Sequence, residues 1–274
     1  EQVDRAHLPS AGRGAVPTPE RHALPLEPSV EAPRDVPYPG TITLSVDATD
    51  VARRIFRVHE VVPIVSGTPL VLLFPQWLPG NHAPEGRIDL LGGLELHAGT
   101  TRVEWTRDPV NVYAFDVRPP AGATSLDVRF DFESPLLASQ GRRVMTPEML
   151  NLEWNAVALY PAGYFSRDIM FAASMKLPQG WKFGSALESS GESSDTAAFK
   201  PVPFNTLVDS PVFAGRYFRR VDLDPSGPAP VHMDIVADQP DDLDIKDDQL
   251  QAHRNLVQQA YKTFGSQNYD HYDF

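Results

Sequence analysis

The chain has 274 residues, 42% of them hydrophobic, and a chain of that length buries roughly 75% of its unfolded surface, so one large β domain or two domains with ordinary cores are expected. Its 24 Lys and Arg against 36 Asp and Glu leave a net charge of −12, which argues against nucleic acid or an anionic membrane as partner, since both need concentrated positive charge. There is no cysteine, so disulfides, thiolate nucleophiles and Cys-ligated metals are excluded.

Residues 1–40 carry eight prolines and almost no aromatic residue, which reads as an extended arm, either docked or a free tail. From Thr41 the hydrophobic period becomes two, with Ile42, Leu44 and Val46 on one face, and a first strand is expected. A second strand is placed at Arg54 to Val62, where Phe56, Val58 and Val62 share their face with Glu60, and a third at Leu70 to Phe74.

The stretch Pro75 to Gly93, with three prolines and four glycines, cannot form a regular element. It reads either as a shaped loop presenting Trp77, Asn81, His82 and Arg87, or as a rigid turn with Trp77 in the core. Leu94 to His97 and Arg102 to Trp105 form a hairpin across Ala98-Gly-Thr-Thr101. Val112 to Val117 follows, and then the strongest alternation in the chain, Leu126, Val128, Phe130 and Phe132 inward against Asp127, Arg129 and Asp131 outward, which marks a sheet with one wet face.

Asn151 to Leu159, Arg167 to Leu177, Phe199 to Val202 and Phe213 to Leu223 continue as strands, with punctuation at Pro178-Gln-Gly180 and Glu188 to Asp195. No helix is expected before about residue 240. Pro225 to Pro230 is linker-like, Val231 to Ala237 is one more strand, and acidic residues Asp241, Asp242 and Asp244 introduce a helix with Leu250, Val257, Tyr261 and Phe264 at helical spacing and Gly265 at its end. The pattern predicts a mainly β chain, an antiparallel sandwich or saddle, with a change of texture near residue 226.

Several chemistries are poorly supported. A zinc peptidase helix needs two His four residues apart with Glu beside the first, whereas His59-Glu60-Val-Val-Pro63 has Pro in the second position and lies in a strand pattern. Gly92-Gly-Leu-Glu-Leu-His97 reads as an ordinary strand. There is no Gly-x-Ser-x-Gly elbow, and paired carboxylates are unmarked among 36 acids. Trp77, Trp105, Trp154, Trp181, Tyr160 and Tyr164 are read mainly as core, with a ligand platform as the lesser alternative, and Asn155 is the polar contact to expect if that end of the sheet borders a cleft. No run of about 18 apolar residues spans a bilayer.

Pro75-Gln-Trp-Leu-Pro-Gly-Asn81 with Arg87-Ile88, Trp105 to Phe115, Trp154 to Gly163, Asp209-Ser-Pro-Val-Phe-Ala-Gly215 and Tyr269-Asp-His-Tyr-Asp-Phe274 together resemble glycyl aminopeptidase-type zinc metallopeptidases, a family with a PDZ domain farther on. The resemblance runs from about Thr41 to Phe274. It implies an arm at 1–40, an amino-terminal β-sandwich domain at 41–226, and the opening strand and helix of an α+β, thermolysin-like catalytic domain at 227–274. By that resemblance the zinc helix would lie beyond Phe274, so this chain would bind no zinc and be inactive alone, while the complete enzyme would release amino-terminal Gly or Ala from peptides. Its partners would be the remaining catalytic and PDZ domains and the peptide substrate. Trp77, Asn81, His82, Arg87, Asn155 and Tyr160 would edge the substrate cleft. A periplasmic or secreted address, with any signal peptide removed, goes with the resemblance. The alternatives are a free-standing β-sandwich module that binds carbohydrate or a protein, and a hydrolase with scattered carboxylates.

Overall fold

A computed structural model describes residues 30–78, 80–81, 83–135, 145–193 and 195–274; most of the Pro-rich arm and His82 lie outside them. The strands β1 (Thr41–Asp50), β2 (Ile55–Pro63), β3 (Leu70–Leu73), β4 (Leu91–Ala98), β5 (Thr101–Val103), β6 (Trp105–Arg107), β7 (Ala114–Val117) and β8 (Ser125–Glu133) come first. They are followed by β9 (Met149–Leu152), β10 (Tyr160–Pro161), β11 (Met170–Lys176), β12 (Lys182–Gly184), β13 (Ser189–Glu192), β14 (Thr196–Phe199) and β15 (Val202–Pro203). The short helix α1 (Phe204–Val208), β16 (Val212–Gly215), β17 (Tyr217–Asp222), β18 (Val231–Ala237), helix α2 (Asp247–Phe264) and β19 (Tyr272–Asp273) complete the chain.

A nine-stranded sheet in the order β13-β14-β11-β1-β2-β8-β4-β5, with β15 beside β11, is the large layer. It is antiparallel except where β1 runs parallel to β11. Because alternate side chains point to opposite faces, Ile42, Leu44 and Val46 of β1, Phe56, Val58 and Val62 of β2, and Leu126, Val128, Phe130 and Phe132 of β8 all go inward and are buried. Two smaller sheets, β10-β3-β7-β6 and β12-β16-β9, cover that face, and their Leu72, Phe115, Val117, Leu150, Leu152, Val212 and Ala214 join one continuous core. Phe74, just past β3, stacks on Phe132 of the large sheet with ring centroids 6.4 Å apart.

On the outer face the register aligns charges of alternating sign. Lys176, Asp47, Arg57 and Asp131 lie side by side across four strands, and His59, Arg129 and Glu95 form part of the next row. Opposite charges directly across strands are favourable by a few tenths of a kcal/mol to about 1 kcal/mol.

Several elements differ from expectation for identifiable reasons. Asn151 to Leu159 is not one strand: β9 stops at Leu152, and Trp154–Ala156 forms a 3-10 turn. From Trp154 to Leu159 every residue is buried, so the apolar run has no alternation to distinguish a strand from a turn threaded through the core. Trp105 does not extend the β4–β5 hairpin but opens β6 in another sheet. Phe213 to Leu223 divides at Arg216 into β16 and β17, which belong to different sheets. The expected loop at Glu188 to Asp195 contains the edge strand β13, and the five-residue α1 was too short for periodicity to reveal.

The last sheet, β17-β18-β19, has a small core of its own, Leu223, Val231, Met233 and Val257 under α2. The residues Pro225 to Pro230 lie in the connection between the paired strands β17 and β18. Asp247 and Asp248 occupy the first turn of α2, and Gly265 ends it in the left-handed region, φ 68°, with its N–H on the Tyr261 carbonyl, a geometry that favours glycine. At the other end of the chain, the Arg34 N–H donates to Gly163 O at 3.0 Å and the Tyr38 N–H to Asp168 O at 2.8 Å, so the close of the Pro-rich region is docked.

One inward position on β2 is not apolar. Glu60 is fully buried, and desolvation pushes its carboxyl well above the usual carboxylate range. The folded state therefore holds a proton that the unfolded chain has released above about pH 4.3, and stability falls as pH rises from there toward the folded pKa. Glu60→Gln is expected to remove this slope, so that its melting temperature gains on wild type as pH is raised above about 4.3, up to the folded pKa of Glu60. Phe132→Ala should cost about 3–5 kcal/mol, measured from the urea midpoint.

Candidate functional site

The irregular stretch after β3 is closed on itself. Gly86 N–H donates to Gln76 O at 3.0 Å, and the Tyr113 hydroxyl donates to Gly86 O at 3.0 Å. A Cβ at Gly86 would sit 2.0 Å from the Pro75 carbonyl oxygen, a backbone atom that cannot swing aside, so only glycine permits this approach. The closure leaves Trp77 64% exposed, outside the core.

Trp77 forms one wall of a cleft of about 540 Å³ with Pro75, Gln76 and Leu78. The opposite wall is Asn155 and Tyr160, with Phe204, Asn205, Val208 and Asp209 from α1 and its end. Asn155 stands on the buried 3-10 turn, whose Trp154 indole N–H donates to Ser210 O at 2.9 Å. Tyr160 opens β10, which pairs with β3, so the strand that leads into the Trp77 loop also holds the facing wall. The Tyr160 ring lies 5.0 Å from Phe204, and burial raises the pKa of its hydroxyl, keeping it a neutral donor and acceptor at physiological pH.

Three of the residues expected at a cleft edge, Trp77, Asn155 and Tyr160, are thus brought together. Arg87 and Asn81 do not line the cleft. Arg87 is turned to Asp89, with Nε to Oδ1 at 2.9 Å and a second bond at 2.7 Å, and the guanidinium holds the Asp89 carboxyl below its usual range. His82 falls outside the described residues. Residue-level reading missed Phe204, Asn205 and Asp209 as cleft residues. Asp209 stands in the recognised Asp-Ser-Pro-Val segment, but only the fold sets it opposite Trp77.

Aromatic faces, three amides and one carboxylate suit binding rather than bond cleavage: the amides and carboxylate can meet N–H donors or an ammonium, and the rings can flank a small apolar group. Among the described residues no group of three or more His, Asp or Glu is arranged to hold a metal ion, so they do not fit a zinc site. His59 and Glu60 illustrate why. Neighbours on a strand face opposite ways, so His59 meets Asp127 at 2.7 Å on the wet face while Glu60 is in the core. His232 and His271 both approach Asp273, at 3.2 and 2.5 Å, but Arg220 stands 3.6 Å from the same carboxylate.

The fold defines a two-layer β domain with a cleft at its surface and no metal-binding cluster among its described residues. Residues 43–216 match the Peptidase M61 N-terminal domain, and the chain belongs to that family. Among solved structures it is similar to an aminopeptidase N family protein from Idiomarina loihiensis, with a TM-score of 0.72 at 12% identity, covering 85% of this chain and 38% of that one. It is also similar to native yeast LTA4 hydrolase, with a TM-score of 0.51 at 12% identity over 87% of this chain and 37% of that one. At these identities the likeness concerns the fold. The chain thus spans less than half the length of either protein. Comparison with curated proteins finds no match.

Gly86→Ala is expected to destabilise by about 1–3 kcal/mol through overpacking and to change near-ultraviolet circular dichroism, whereas Trp77→Ala should leave the melting temperature almost unchanged, as exposed sites do.

Proposed function

We propose that this chain is the amino-terminal, non-catalytic part of a zinc aminopeptidase that releases small residues such as Gly or Ala, and that the cleft between Trp77 and Asn155 is its share of the substrate site. The observation that carries the reading is the match of residues 43–216 to the M61 amino-terminal domain, to which the cleft adds a surface with suitable chemistry. Asn155, Asn205 and Asp209 would meet the polar end of a peptide, and Trp77, Tyr160 and Phe204 would flank a small side chain. In this reading zinc is held by a catalytic domain of the same protein.

We put the opening of that domain at β17 rather than at residue 227. Supporting this, the family match ends at residue 216, β17 pairs with β18, and these strands share a separate core. A PDZ domain farther on and a periplasmic or secreted address belong to the same proposal and rest on the sequence resemblance.

The test uses the full-length protein. Zinc content near one per chain and faster hydrolysis of Gly- and Ala-arylamides than of Leu-arylamide are expected, with Trp77→Ala raising KM several-fold at unchanged melting temperature, and Asn155→Ala, at a buried position, raising KM several-fold with a lowered melting temperature. Absence of zinc and of hydrolysis would overturn the reading in favour of a binding module, for which the exposed Trp77 beside three amides would be the ligand platform.

A further inference from the structure

Glu60 is an expensive residue in its position. It lies on the inward face of β2 between Val58 and Val62, and its cross-strand neighbours on the same face are Leu44 and Val128, both fully buried. Burying a polar group without compensation costs on the order of 1–3 kcal/mol, and Oε2 has no hydrogen-bond partner among the described residues. An apolar residue would serve the packing of β2 better, so packing does not explain the carboxyl.

Its other oxygen is committed. Oε1 accepts the backbone N–H of Leu159 at 2.7 Å, across 99 residues of sequence. Leu159 lies between the 3-10 turn that carries Asn155 and the two-residue β10 that begins at Tyr160. At the far end of the same short segment, the Trp154 indole N–H is bound to the carbonyl of Ser210, next to Asp209 of the cleft. Two buried side-chain hydrogen bonds therefore bracket the stretch that presents Asn155 and Tyr160.

We propose that Glu60 is a positioning residue for the cleft: from inside the core its carboxyl fixes the Leu159 amide, and through it the placement of Asn155 and Tyr160. This rests on the cleft being a substrate site, as proposed above. A side chain without an acceptor would leave the Leu159 N–H buried and unpaired, and the segment would shift to satisfy it. Glu60→Gln keeps a carbonyl acceptor at the same reach, while Glu60→Leu keeps the volume and loses the acceptor.

The experiment has two arms on the full-length protein. Hydrogen exchange is expected to show Leu159 protection reduced about tenfold or more in Glu60→Leu, retained in Glu60→Gln, with the rest of β2 unaffected. Kinetics on Gly-arylamide are expected to show KM raised several-fold with kcat little changed in Glu60→Leu, and near wild type in Glu60→Gln. Val62→Ala, on the same face of the same strand, serves as the control that loses stability without raising KM. Glu60→Met takes the place of Glu60→Leu if the latter does not fold. Unchanged Leu159 protection without an acceptor at position 60, or an equal KM rise in Val62→Ala, would overturn the proposal. If the wild-type protein hydrolyses no arylamide, the aminopeptidase reading falls by itself, and the exchange arm still decides whether Glu60 holds the segment.

Discussion

The chain from β1 to β16 is arranged around covering one face of the nine-stranded sheet. A sheet that wide cannot hide its apolar side from water by itself, and no long helix lies over it among the described residues; instead, two small sheets and several irregular segments share the task. Small sheets leave gaps at their borders, and the gaps are filled by buried non-repetitive chain, Trp154 to Leu159 above all. Backbone in such places cannot use a ladder partner for each N–H and C=O, so it must recruit side chains from elsewhere. The Trp154 and Glu60 hydrogen bonds follow from that need.

The cleft is a by-product of the same economy. It opens where the Trp77 loop, the 3-10 turn and α1 meet, three pieces that lie outside the strands of the large sheet. Their mutual placement depends on close backbone approach at Gly86 and on the short β3–β10 pairing. The exposed Trp77 on the loop can be exchanged without disturbing the main core, as is common for surfaces carried on loops, whereas Phe204 on the other side of the cleft belongs to that core.

What the sequence made legible was what repeats. β1, β2, β8 and β18 have period two, and α2 has helical spacing between acidic residues and a terminal glycine, so their places follow from simple geometry. Buried chain with no period was opaque: the turn at Trp154 reads as strand because the chain from Ala156 to Leu159 is uniformly apolar. Trp77 and Asn155 could be singled out, but their meeting with Asp209 joins residues far apart in sequence, and no local pattern encodes such a contact. Arg87 was attractive as a cation beside a shaped loop, yet its partner Asp89 stood two residues away.

The rows of alternating charge on the outer face bear on how the large sheet finds its pairing. A slip of two residues between β2 and β8 would keep every apolar side chain on the inner face, so hydrophobic burial by itself cannot reject it. The charges can. In the native register Arg57 faces Asp131, whereas a two-residue slip in one direction would set Arg57 against Arg129. A slip the other way would set Arg57 against Glu133, so the wet side of the sheet acts as a proofreading strip for one direction of an assembly error to which the dry side is blind.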